Sequence, residues 1–425
     1  MATKKIANPA WSLWQKLSAG LVTGAADDDP SGIATYSQVG AAYGYATAWS
    51  LILAMPLMIA IQAISARIGC ASGKGLGENM RRHYPRWLVY VLVSSILVAN
   101  IINLAADIGA MGAATELLVG GPPTLYAALF ALISLGLQMY VPFSRYSPYL
   151  KILTLTLFAY VGTVFVVHVP WVDVVKGIIL PKAKFDAKYA VAIVAVLGTT
   201  ISPYLFVWQA AQEVEEIRAP GPRRSLKRAP SQGPDALERI GIDTAVGMFF
   251  SNIVAGFIIL TAAVTLHAHG KTDIQSASDA AQALKPIAGR FVFWLFAAGI
   301  VGTGLLAVPV LAGSTAYAAA GVLGEKYGLE NKPHQAKLFY GVLIFASIAG
   351  IALNLTPINP IKALYWSAVI NGVTAAPMMV MVMLMSRRRE VMGEFTVEPW
   401  LWIVGWIATA VMALAAIVMF VTWGK

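Results

Sequence analysis

Eleven apolar runs, each near the length that crosses a bilayer, constrain this chain more than any single motif in it. Their approximate limits are 18–40, 45–68, 87–115, 122–142, 147–168, 189–216, 240–266, 291–323, 338–356, 362–386 and 399–423. A helix needs about 20 apolar residues to span the hydrocarbon core. The third and eighth runs are long enough to tilt or to continue beyond the lipid. Only 12% of the residues are charged, whereas a soluble domain has about 25%. The expected fold class is therefore all-α and integral to the membrane, a single membrane domain over residues 1–425.

Two of the runs contain what a lipid-facing helix excludes. Residues 25–36 read AADDDPSGIATY, placing Asp27, Asp28 and Asp29 beside a proline and a glycine. One ionised Asp at mid-bilayer costs roughly 2.5–3.5 kcal/mol on insertion scales. The sixth run holds a second interruption, LGTTISPYLFVWQ, with Pro203 at its middle. An interior proline removes a backbone hydrogen bond and clashes with the preceding turn. Freed carbonyls at that depth are tolerated only where they face protein or a watery cavity. Interrupted helices five spans apart predict an inverted repeat, spans 1–5 (18–168) against spans 6–10 (189–386), with 399–423 as an accessory eleventh helix. Such a repeat places a substrate site between the two breaks. Carboxylates at one break then point to a bound cation, with unwound carbonyls as further ligands. Asp29, adjoining Pro30, is the first candidate ligand; Asp27 and Asp28 are candidates for an access path or for pairing. The competing reading is a plain surface turn with the first span starting at Gly32. The apolar residues on both sides and the matching break at 200–203 oppose it.

The net charge of +10 raises nucleic acid as a partner, but its distribution speaks for topology. Basic residues gather in the N-terminal tail, in GKGLGENMRRHYPR, near Arg145 and Lys151, in RAPGPRRSLKR and in RRRE at 387–390. These are alternate loops, so the positive-inside rule predicts a cytoplasmic N-terminus in a multi-pass inner-membrane protein. Lysines at 169–188 and 267–290 make the rule hold imperfectly. RAPGPRRSLKRAPSQG reads as a flexible cytoplasmic loop. The N-terminus lacks the apolar core of a signal peptide. One cysteine, Cys70, excludes a disulfide and a thiolate cluster. The five histidines fall in loops or at helix ends, against a histidine metal cage. GKGLGE lacks the spacing of a nucleotide-binding loop, and no nucleophile–base pair suggests an enzyme. No cofactor is implied, and the sequence sets no oligomeric state, being compatible with a monomer.

At the two breaks the chain resembles the NRAMP family of divalent metal transporters, over roughly residues 10–420 in helix count and position. The family's Asp-Pro-Gly-Asn motif corresponds to Asp29, Pro30, Ser31 and Gly32, and its Met-Pro-His motif to Ser202, Pro203 and Tyr204. Helix 3 reads INLAADIGA where the family has a pattern like TDLAEVIGS. The resemblance implies the inverted-repeat, alternating-access fold of amino acid and cation symporters. Here Gly32 replaces a metal-binding Asn, and Ser202 a metal-binding Met. Loss of the thioether removes a soft ligand, leaving Asp29, Ser202 and the backbone around Thr199 and Thr200. Oxygen donors suit hard cations, and the smaller residues are expected to leave room for the waters Mg²⁺ retains. The pattern is similar to the NRAMP-related magnesium transporter branch, so the expected substrates are Mg²⁺ and Mn²⁺, with Al³⁺ a weaker candidate. The family's proton-handling positions carry Asn103, Ala106, Tyr204 and Gln209, with Asp107 displaced by one residue. Uncoupled import is therefore expected. The alternatives are a proton-coupled Mn²⁺ or transition-metal transporter of the family, an amino-acid symporter of the same fold, and a non-transporting sensor.

Beyond the second break, Gln209, Gln212, Glu213 and Glu216 share a helical face by their spacing. They read equally well as the wall of a cytoplasmic exit path and as an acidic helix end paired with basic neighbours. Asn252 and Asn371 are expected in helix packing.

Overall fold

The computed structural model describes residue 17 and residues 19–167, 169–180, 187–219, 221–274, 277–356 and 360–422. The basic N-terminal tail, His168 and the lysines between 181 and 186 lie outside the described residues.

Every apolar run is a helix or a pair of half-helices. The first run is α1 (Ala19–Asp27) and α2 (Pro30–Tyr43), followed by α3 (Ala48–Ser72) and a short α4 (Leu76–His83). Then come α5 (Arg86–Val119) and α6 (Pro123–Tyr140). The fifth run is α7 (Phe143–Leu153) and α8 (Phe158–Val166), joined by a 3₁₀ turn. A short α9 (Trp171–Ile179) precedes the sixth run, α10 (Ala187–Thr200) and α11 (Pro203–Arg218). The remaining helices are α12 (Gly233–Thr265), α13 (Ala277–Leu323, two helices meeting at Gly289), α14 (Lys337–Asn354), α15 (Pro360–Met385), a one-turn α16 (Arg389–Met392) and α17 (Pro399–Thr422). No strand occurs among the described residues. Nine helical stretches among them are long and apolar enough to cross a membrane, the first joining the second half of run one to run two as Pro30–Ser72.

The broken helices occupy the centre. Every residue of α1 is buried, and α12 packs along α1, α2 and α3 while α11 lies on α3. Glycines allow these close crossings: a Cβ at Gly24 would run into the Gly247 carbonyl, and one at Gly247 into that of Gly20. Backbones that approach this closely pack well without any hydrophobic drive between helices in lipid. The Asp243 carboxylate of α12 then accepts from Gly20 N at 2.7 Å and Leu21 N at 3.1 Å, satisfying amides that the start of α1 leaves free. On the periphery, α6, α14 and α17 keep Leu129, Phe345 and Ile407 exposed, as lipid-facing helices do.

The loops sort onto two ends. At one, Lys227 Nζ donates to Glu390 O, Arg388 reaches His83 O, and Arg218 donates to Tyr327 O. Loops following the second, sixth, eighth and tenth spans therefore meet on one side. At the other, His267 Nδ1 contacts Ala41 O and Ile274 N donates to Gln38 Oε1. The stretch expected to be a flexible loop is held at its apolar residue: Leu226 is buried with Ala66, Cys70 and Ile240, and its N–H donates to Cys70 O at 3.2 Å. One leucine among arginines is enough to pin the segment.

Candidate functional site

Both breaks are capped by the residue before a proline. Asp29 is the N-cap of α2, with Pro30 at the first helical position, where a missing N–H costs nothing. Its Oδ1 accepts from Gly32 N at 2.6 Å and Ser31 Oγ at 2.7 Å, as N-cap carboxylates do. Among the described residues its Oδ2 meets Tyr204 Oη alone, at 3.3 Å, and so keeps capacity for another partner. Ser202 is the N-cap of α11, but its hydroxyl donates backwards, to Gly198 O and Thr199 O at 2.9 Å. The Thr199 hydroxyl donates to Ala195 O at 2.8 Å. With their protons committed to carbonyls, these hydroxyl oxygens retain lone pairs for a cation.

The breaks face each other. Tyr204 Oη, from the start of α11, donates to Ala26 O at 3.0 Å near the end of α1. Between the breaks lies a cavity of about 20 Å³, room for roughly one water-sized particle. Asp29, Ser31 and Thr35 line it from α2 and its cap, Gly198, Thr199 and Ser202 from the second break, and Asn103 and Asn371 from α5 and α15. The C-terminal ends of α1 and α10 meet the breaks, the favourable end of a helix for a cation. Among the described residues no three His, Cys, Asp or Glu side chains form a metal cage. The cavity instead offers one carboxylate with hydroxyl, amide and carbonyl oxygens.

Asp29, Thr199 and Ser202 thus come together as expected, and others do not. Gly32 stands beside the cavity, where a Cβ would lie 3.0 Å from Asp27 O and 3.2 Å from Thr199 Cγ2. The space beside the glycine is bounded by those two groups. The Thr200 hydroxyl turns into its own helix, toward Val196 O and Leu197 O. Asp27 accepts from Ser251 Oγ at 2.8 Å, and neither oxygen of Asp28 has a hydrogen-bond partner among the described residues; neither residue lines the cavity. Further along α11, Gln209 donates to Thr244 at 2.6 Å, Gln212 is buried, and Glu213 pairs with Arg239. Arg239 also reaches Glu216 at 3.4 Å. In this conformation the acidic side chains Glu213 and Glu216 are paired with Arg239 of α12.

Asn371, expected in helix packing, stands at the cavity wall, and Asp107, one residue displaced from the family position, bonds the start of α2. Asn371 lines the cavity, its Oδ1 without a hydrogen-bond partner among the described residues, while Asn252 packs against Met58 as expected. Asp107 faces the break: Oδ1 accepts from Ser31 N at 3.0 Å, and Oδ2 has no hydrogen-bond partner among the described residues. The signal available beforehand was a buried amide or carboxylate at membrane depth. Ser31 and Thr35, four residues apart on one helix face, were legible only as a pattern.

A model of the Natural resistance-associated macrophage protein-like family matches residues 20–422. The chain is 26% identical over 423 residues to the divalent metal cation transporter MntH of Chromohalobacter salexigens, covering 97% of this chain and 93% of that protein. It is 25% identical over 393 residues to the protein of the same description from Klebsiella pneumoniae, covering 90% and 88%. Its structure superposes on that of the Eremococcus coleocola manganese transporter with a TM-score of 0.75 at 16% identity, covering 98% of this chain and 88% of that one. The fold is thus that of a multi-pass membrane transporter with broken first and sixth spans.

Proposed function

Because the chain belongs to the Natural resistance-associated macrophage protein-like family, we propose that it is a divalent metal cation transporter, working by alternating access about the two breaks. The cargo we assign first is Mn²⁺. The observation that carries this reading is the cavity itself: about 20 Å³, with the Asp29 carboxylate and otherwise neutral oxygen donors. Carboxylate, hydroxyl and amide oxygens are donors that Mn²⁺ accepts, whereas Mg²⁺ dehydrates reluctantly and usually keeps several waters. The names of the relatives, divalent metal cation and manganese transporters, support the same cargo. Mg²⁺ is the second reading, favoured by the absence of any sulfur or imidazole from the cavity lining. Asp29 is the anionic ligand, with Ser202, Thr199 and Asn371 as oxygen donors. The division into repeats at 18–168 and 189–386, a cytoplasmic N-terminus and an inner-membrane location belong to this reading.

Proton coupling is part of it. The expectation of uncoupled import rested on the missing acids at 103 and 106. Asp107 supplies an acid linked through Ser31 to the Asp29 cap. Entry of a divalent ion beside two buried carboxylates favours release of any proton they hold. The deciting measurement is a liposome flux assay with Mn²⁺, Mg²⁺ and Cd²⁺ as competing ions. Saturable Mn²⁺ entry is expected; protein that moves none of the three would refute the assignment.

A further inference from the structure

A second and larger cavity, about 350 Å³, lies at the basic end of the molecule, where α4, the last turn of α11 and the turn after α13 converge. Arg81, Arg82, Arg218 and Lys326 line it against two carboxylates, Glu78 and Glu325. Glu78 is already committed. It accepts from Arg82 at 2.8 Å and from Tyr327 Oη at 2.9 Å, and burial pushes the Tyr327 phenol up to about 12, so it remains a donor. Arg218 donates to Tyr327 O at 2.9 Å and stacks on that ring at 4.6 Å. These contacts fix its plane and leave other N–H donors of the fork uncommitted.

Arg81 is the unexplained residue. It has no ion pair or side-chain hydrogen bond among the described residues, yet its guanidinium rests on Gly324. A Cβ there would overlap it, and Gly324 is in the left-handed region at φ 78°. Both the space and the backbone call for glycine at that point. The cavity is also near the membrane edge: Arg86 opens α5 directly after α4, and the next residue, Trp87, is 69% exposed, as interfacial aromatics are.

We propose that this cavity binds a phosphate group, held by the Arg81 and Arg218 guanidinium planes. Planar forks match phosphate oxygens in pairs. The group comes from an anionic phospholipid headgroup at the membrane edge or from free phosphate. Arg218 is the last residue of α11, the half-helix whose cap is Ser202 at the first cavity. A phosphate shared by Arg81 and Arg218 therefore ties the far end of that half-helix to α4.

The test uses the full chain in detergent and reads binding, not transport. Inorganic phosphate is titrated at constant ionic strength while thermal unfolding is followed. Retention of phosphatidylglycerol against phosphatidylcholine is measured by native mass spectrometry. A rise in melting temperature with phosphate identifies the free anion, and selective retention of phosphatidylglycerol identifies the lipid; either supports the site. Arg81→Gln should weaken the observed binding at least tenfold without loss of folding, since Arg81 has no hydrogen-bond or ion-pair partner among the described residues; Arg218→Gln should weaken it likewise. Arg228→Gln serves as a control that leaves binding unchanged. Wild-type protein that shows neither effect, or Arg81→Gln protein that binds as wild type does, overturns the proposal.

Discussion

The two oxygens of the Asp29 carboxylate differ: Oδ1 caps α2, and Oδ2 is met, among the described residues, by Tyr204 alone, so the proposed site takes Oδ2 as its anionic ligand. Asp29→Ala should therefore abolish Mn²⁺ flux to background and also lower stability by about 1 kcal/mol through loss of the cap. Asp29→Asn should keep most of the cap and still lose flux. Near-normal Mn²⁺ entry in either reconstituted variant would remove Asp29 from the site. Asn371, at the cavity wall with no hydrogen-bond partner for its Oδ1 among the described residues, is a milder case. Asn371→Ala should raise the Mn²⁺ concentration for half-maximal flux about tenfold, at the low end of what losing a supporting group costs a metal site. A single Gly32→Asn change is harder than composition suggests, because its Cβ meets Asp27 O and Thr199 Cγ2 at close range. Adding Ser202→Met supplies a soft ligand. If the double variant folds, Cd²⁺ should compete with Mn²⁺ more strongly than in wild type, and unchanged competition would sink the ligand assignment.

The half-helices work because something else satisfies the ends they expose. Asp243 caps α1 from α12, Asp29 caps α2, and Tyr204 bonds Ala26 O across the gap. The crossing that lets α12 reach α1 depends on Gly20, Gly24 and Gly247. Gly247→Ala should push these helices apart, at a cost of about 1–3 kcal/mol, the range for overpacking a tight contact. Gly241→Ala, in the same helix with open space around it, is the control and should be neutral or slightly stabilising through helix propensity. Equal melting temperatures for the two variants in detergent would show that the close crossing does not limit stability.

Across the whole molecule, basic charge gathers where the loops share an end. Arg81, Arg224, Lys227, Lys326 and Arg388 all stand at the end where the loops after the second, sixth, eighth and tenth spans meet. A negative-inside potential then favours cation entry by about 2.3 kcal/mol per charge per 100 mV. In proteoliposomes with a trapped pH-sensitive dye, Mn²⁺ added outside should acidify the lumen, and Asp107→Asn should reduce acidification more than it reduces Mn²⁺ uptake. Uptake with no acidification in wild type would return the chain to the uncoupled reading. If Asp107 is only a fold element bonding Ser31, the variant should lose uptake and acidification in proportion.

Length and hydropathy alone determined the eleven spans, since about 20 apolar residues in lipid have few other outcomes. Two prolines at matching depths determined where the helices break, and a carboxylate at the first break marked Asp29. Those are local properties, set by backbone hydrogen bonding and by the cost of charge in lipid. What stands across from each break was decided only by packing. Asn371 lies 342 residues from Asp29 along the chain, and no local pattern says which face of α15 meets the cavity. Asp107, displaced by one residue from the family position, meets Ser31 through the crossing of α5 and α2, a contact that its spacing alone does not give. Glu213 likewise found its partner in Arg239 on a different helix. Each depends on how helices rotate and cross, which close glycine contacts fix in three dimensions and hydropathy does not encode.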